Sequence, residues 1–90
     1  MGTFHDHLGE WHGHTIVVET GDGRLVVGRC HECRDDRVDL VGADVFEDGR
    51  DGLTREEYLE NVRRLGYWEK HARLRVPGDE VSAVRLLREM

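Results

Sequence analysis

Between residues 15 and 46 the apolar positions come as short β-branched runs separated by glycine- and acid-rich breaks, the pattern of strands joined by tight turns. Thr15-Ile16-Val17-Val18-Glu19-Thr20 is the first run. Gly21-Asp22-Gly23 follows, residues that tolerate the positive φ of a tight hairpin. Arg24 to Cys30 predicts the second strand, Arg34-Asp35-Asp36-Arg37 a turn, and Val38 to Phe46 the third, so the three make a meander.

Two stretches carry a helical period instead. In Thr3-Phe4-His5-Asp6 a capping threonine stands three residues before a carboxylate, and Phe4, Leu8 and Trp11 recur along one side until Gly13. The second stretch follows the acidic loop Glu47 to Gly52. Thr54 and Glu57 make a capping box, Leu53 and Tyr58 a hydrophobic staple, and Tyr58, Leu59, Val62 and Leu65 one apolar face that Gly66 ends. Tyr67 and Trp68 are expected to pack against the strands. Ala72 to Leu87 reads as two short strands about one tight turn: Pro77 ends the first, and Val81 and Val84 flank a 3₁₀-like turn leading into strand five. The expected fold is mostly β, a five-stranded small barrel with a short N-terminal helix and a helical insertion of about residues 47–71 between strands three and four.

At 90 residues the chain has room for one core, so a single domain spanning 1–90 is expected. With 38% apolar and 36% charged residues and one proline, the composition is that of a folded globule. No apolar run reaches the roughly 20 residues of a membrane span, and the N-terminus lacks the basic and apolar blocks of a signal peptide, so no membrane partner and a cytoplasmic location are expected. The formal charge of -6 is unevenly spread: residues 1–53 hold 12 acids and 5 bases, residues 54–90 hold 7 acids and 8 bases. A polyanion is repelled on average, and the local exception is the arginine-rich stretch Arg63 to Arg75, whose plainest reading is a solvated helix face.

The order of elements, with certain residues, resembles the Sm-like proteins, a branch of the SH3-like small barrels. Ile16 and Val18, Asp22-Gly23, Gly28 in the bend of strand two, Asp35, and Val38-Asp39-Leu40 stand where the first Sm motif has alternating apolar residues, a hairpin, a glycine, an acid and an apolar-Asn-apolar run. The resemblance covers about 45 residues in two blocks and implies the barrel. It also implies self-assembly, because Sm-like barrels commonly pair strands four and five of neighbouring subunits into rings. The family's RNA-binding residues are an asparagine in the first motif and an Arg-Gly pair in the second. Here Asp39 stands in place of the asparagine, and Val76-Pro77-Gly78 replaces the arginine and its surroundings, so RNA is not expected at the usual pore.

The densest candidate chemistry is His5, His7, His12, His14, Cys30, His31 and Cys33, seven zinc-compatible side chains within 33 residues. Hairpin register decides what they form. With a two-residue loop at Asp22-Gly23, facing residue numbers sum to 45, and His12, His14, His31 and Cys33 share one face as a candidate zinc set. With a three-residue turn at Gly21-Asp22-Gly23 they sum to 44, Cys30 points inward near His14, and His31 and Cys33 point outward. The second register gives the better core and makes Cys30 a small buried hydrophobe. It leaves no cofactor expected, with zinc as the alternative and Cys30 as an alternative ligand. For Cys30 or Cys33 as a nucleophile no orienting third group is visible, so an enzyme is not expected. The leading expectation is therefore a non-catalytic module that associates with itself. A small zinc protein and a weak nucleic-acid binder through Arg63–Arg75 are the alternatives.

Overall fold

The computed structural model describes residues 12–34 and 36–89. The expected N-terminal helix, with His5 and His7, and Asp35 of the motif lie outside the described residues. Among the described residues five strands, β1 (Thr15–Thr20), β2 (Arg24–Cys33), β3 (Arg37–Glu47), β4 (His71–Pro77) and β5 (Val81–Leu86), and one α-helix, α1 (Arg55–Leu65), follow in the expected order. They form one antiparallel sheet in the order β4-β3-β2-β1-β5. The sheet coils far enough that Val76 of β4 and Leu86 of β5, on opposite outer strands, join the same buried cluster.

The β1–β2 hairpin takes the three-residue turn. Ile16 faces Gly28 and Val18 faces Val26. Gly23 lies at φ 91° and donates its N–H to the Thr20 carbonyl at 3.1 Å, while the Thr20 hydroxyl accepts from the Arg24 N–H at 3.0 Å.

Two bulges then reset the pairing of β2 with β3. The register passes from Val27↔Asp44 to Arg29↔Val41, which places Gly42 and Ala43 against Gly28 alone. Gly42 sits at φ 64°, the left-handed conformation such a bulge demands. Further on, Cys30↔Leu40 gives way to Glu32↔Asp39, so His31 is the extra residue on β2. Strand two consequently runs three residues past Cys30, its expected end.

Both faces of the central strands are buried. Inside the coil lie Ile16, Val18, Val26, Cys30, Cys33, Val38, Leu40 and Ala43. On the outer face Val17, Leu25, Val27 and Phe46 are covered by Tyr58 and Val62 of α1. The unbroken apolar runs Ile16-Val17-Val18 and Leu25-Val26-Val27 are the sequence of strands covered on both sides.

Helix α1 starts where its sequence says it should. The Thr54 hydroxyl accepts from the Glu57 N–H at 3.1 Å, and the Glu57 carboxylate accepts from the Thr54 N–H at 2.9 Å. Replacing Thr54 by alanine removes half of this reciprocal pair and should lower stability by about 1 kcal/mol, read as a shift in urea midpoint with unchanged slope.

Three local expectations need correcting. The 3₁₀ turn occupies Gly78–Glu80, ahead of Val81, because Val84 is already paired with Val18 inside β5. Leu65, on the last helical turn, is 80% exposed: the helix ends there and its contact with the sheet stops at Val62. Trp68 is 82% exposed, while Tyr67 turns inward and donates its hydroxyl to the Gly42 carbonyl at 2.8 Å. Adjacent residues of an extended link point to opposite sides, so only one of these aromatics reaches the barrel.

Candidate functional site

The histidines and cysteines separate into two pairs. His12 and His31 are exposed, their ring centroids 5.7 Å apart, and His12 Nδ1 is 2.8 Å from the His31 carbonyl oxygen. Cys30 and Cys33 are reduced and buried, at 2% and 0% exposure. His14 is half-buried, and its carbonyl accepts from the Cys30 N–H at 2.8 Å. The turn register sends His31 outward and Cys30 inward as expected. Cys33, expected outward, points inward because the bulge at His31 shifts the alternation by one residue. Thus His12, His14, His31 and Cys33 do not share a face. Among the described residues no group of three or more His, Cys, Asp or Glu side chains is arranged to hold a metal.

Inside the barrel the two thiols interact. A hydrogen bond with Cys33 lowers the Cys30 thiol below its ordinary pKa, against burial and the charges of Asp39 and Glu32. The same bond, with burial, pushes the Cys33 thiol well up.

At the end of the barrel carrying the β2–β3 turn, Asp39 stands directly opposite Arg75 in the β3–β4 ladder. Arg75 Nε donates to one Asp39 oxygen at 2.7 Å and Arg37 Nε to the other at 3.2 Å. Arg37 also reaches Glu32 at 2.8 Å, and Arg34 bonds to Glu32 in turn. Burial alone would raise the Asp39 carboxyl, but the bonds from Arg75 and Arg37 hold it below the usual range. The Asp36 carbonyl accepts from the Gly78 N–H at 2.8 Å, tying this turn to the one between β4 and β5. A shallow cleft of about 270 Å³ lies beside the network, lined by His31, Asp39, Val41, Arg73 and Arg75.

No protein-family model matches the chain, and no curated protein matches its sequence. Solved structures do match. One is the Sm protein of Pyrococcus abyssi in complex with a uridine heptamer, similar over 90% of this chain and 93% of that one at a TM-score of 0.62 and 18% sequence identity. The fold is Sm-like. Within this Sm-like frame the helical insertion sits between β3 and β4 and covers the outer face of the sheet.

The structure also shows what holds Asp39 at this end of the barrel. Its charge is met by two guanidinium groups, and Arg75, two residues before Pro77, supplies one of them. Sequence reading missed this pair because the insertion hides the β3–β4 register. The one available signal was an arginine on an alternating strand near the expected motif.

The arginine-rich stretch is divided between two elements. Arg63 and Arg64 belong to the end of α1, where Arg63 is 3.6 Å from Glu60, whereas Arg73 and Arg75 are on β4. No helix among the described residues is long and apolar enough to cross a membrane.

Proposed function

We propose that this chain is a non-catalytic Sm-like module that associates with further copies of itself by pairing the outer edge of β4 with the outer edge of β5. The observation that carries the reading is the sheet order. The strands β4 and β5 are its two ends; among the described residues β4 pairs only with β3 and β5 only with β1. Each therefore keeps one row of backbone donors and acceptors without a ladder partner, a surface that folded proteins cover or pair. One edge of each kind on a single copy makes a head-to-tail contact, which closes into a ring when the rotation between copies divides a full turn.

Uridine binding is outside this reading. The Pyrococcus protein is in complex with a uridine heptamer. Here the acid at the motif asparagine's position already holds Arg37 and Arg75, so a nucleotide must displace existing ion pairs to reach either guanidinium.

Proline scanning tests the association. Successive N–H groups of an edge strand point alternately toward its partner and away from it. Of Arg73→Pro and Leu74→Pro, one removes an N–H from the free edge and the other breaks the ladder with β3. Native mass spectrometry and sedimentation should find the wild type in a defined oligomer. One variant should be a folded monomer by circular dichroism, the other destabilised. A wild type that is monomeric at micromolar concentration, or a free-edge variant that keeps the oligomer, sinks the reading.

A further inference from the structure

We propose that the cleft between α1, the start of β1 and the turn after β5 binds a small phosphorylated sugar, its phosphate held by Arg63, Arg64 and Arg88. The cleft has a volume of about 620 Å³, within the roughly 300–1,000 Å³ of small-molecule sites. Three arginines and His14 line it against one carboxylate, Glu60. On a chain of formal charge -6 this is a local reversal of sign.

The fold assembles the cleft from segments that are distant in the chain. Ile16 pairs with Leu86, so the 3₁₀ turn Leu87–Glu89 leaves β5 beside the residues that open β1. Val62 and Leu87 pack in the same outer cluster, which brings the last turns of α1 alongside that 3₁₀ turn. Arg63 and Arg64 come from the helix and Arg88 from the turn. Arg63 lies 3.6 Å from Glu60, and among the described residues Arg64 and Arg88 make no ion pair. An entering anion therefore meets two guanidinium groups that it need not take from a carboxylate of the sheet. Arg37 and Arg75, both held by Asp39, offer no such opening.

The lining selects the ligand. A guanidinium presents N–H donors in a planar fork that matches phosphate oxygens two at a time. A phosphate monoester, close to doubly charged at neutral pH, suits several such groups. No Phe, Tyr or Trp lines the cleft, so nothing there stacks a nucleobase. Glu60 offers acceptors and Thr15 a hydroxyl, partners for the hydroxyl groups of a sugar. An extended polyanion would run on to Glu56, one turn before Glu60 on the same side of α1, or to Glu89 after Arg88. A compact dianion stays within the cleft.

Calorimetric titration of the full chain with ribose 5-phosphate tests the site, with ribose, inorganic phosphate and a uridine oligonucleotide as parallel ligands. One ribose 5-phosphate per chain is expected, with inorganic phosphate weaker by about tenfold or more and no binding of ribose. Arg64→Gln and Arg88→Gln should each weaken binding about tenfold, the loss of one charge-assisted contact. Arg29→Gln removes the same charge from β2, outside the cleft, and should bind as the wild type does. All three side chains are exposed, so circular dichroism should find each variant folded. Absence of ribose 5-phosphate binding at millimolar concentration would overturn the proposal. So would binding unchanged in Arg64→Gln and Arg88→Gln, an equal loss in Arg29→Gln, or inorganic phosphate binding as tightly as the sugar phosphate. An oligonucleotide that displaces ribose 5-phosphate at lower concentration would assign the cleft to a polymer and overturn it too.

Discussion

Asp44→Ala should destabilise the protein by about 3–5 kcal/mol, the cost of breaking a buried charge pair from one side. Asp44 is 2% exposed, on the outer face of β3 under α1. Its two oxygens accept from Arg50 at 3.2 and 3.1 Å, and the second also accepts from the Tyr58 hydroxyl at 2.8 Å. Lys70 Nζ stands 4.0 Å away. Tyr58 stacks on Phe46 with centroids 4.3 Å apart, and the Arg50 guanidinium lies against both rings. One carboxylate therefore joins the barrel, the 47–52 loop and the helix. Alanine leaves the buried Tyr58 hydroxyl without its acceptor under the helix and takes both carboxylate bonds from Arg50, which keeps only the Val45 carbonyl and Asp51. Urea unfolding followed by circular dichroism measures the loss, and a change under 1 kcal/mol would contradict this account.

The same group sets the acid limit. Burial alone would raise the Asp44 carboxyl, but the bonds from Arg50 and Tyr58 and the charges of Arg50 and Lys70 outweigh it and hold the folded-state pKa below the ordinary value. A depressed folded-state pKa gives stability that is fully present above the unfolded value, about 3.9, and is lost as pH falls through the folded value. Unfolding free energy should therefore be flat near neutrality and fall below about pH 4. Asp44→Asn should start lower and fall less steeply over that range. Equal slopes for the two proteins would assign the acid transition elsewhere, with Asp39 the next candidate.

Gly28→Val should cost up to about 3 kcal/mol, the upper part of the usual range for overpacking a filled core. A Cβ at this position would already stand 3.1 Å from the Ala43 Cβ and 3.1 Å from Leu40 Cδ2, and 3.2 Å from the Ala43 Cα, which belongs to the backbone. Valine adds two methyl groups where the bulged β3 crosses closest. Thermal unfolding by calorimetry reads the effect, and an unchanged midpoint would show that the bulge can move aside.

That glycine also shows how far the sequence could be read. Gly28 was legible as the bend of strand two, as were the three-residue turn, the helix cap at Thr54 and the place of the insertion. Each is specified by residues close together in the chain, where local sterics and hydrogen bonding decide. The misplaced features depend on contacts between distant segments. Cys33 turned inward because of a bulge that only the pairing of β2 with β3 reveals. Arg75 became the partner of Asp39 through a register set beyond the insertion. Asp44 read as one acid among many, since nothing local says that Arg50 and Tyr58 will close over it. The candidate metal set His12, His14, His31 and Cys33 required the two-residue hairpin, which the three-residue turn replaces, and the extra residue at His31 then turns Cys33 inward, away from His31.

The helix over the outer face carries a practical consequence for anyone trimming this protein. Residues 47–71 look like an excisable connection between two strands of a small barrel. Shortening them to a tight turn would bare Val17, Leu25, Val27 and Phe46 together, a contiguous greasy panel on a sheet whose two ends are already open. The product would be a precipitating β-layer in place of a minimal barrel. The insertion is half of a second core.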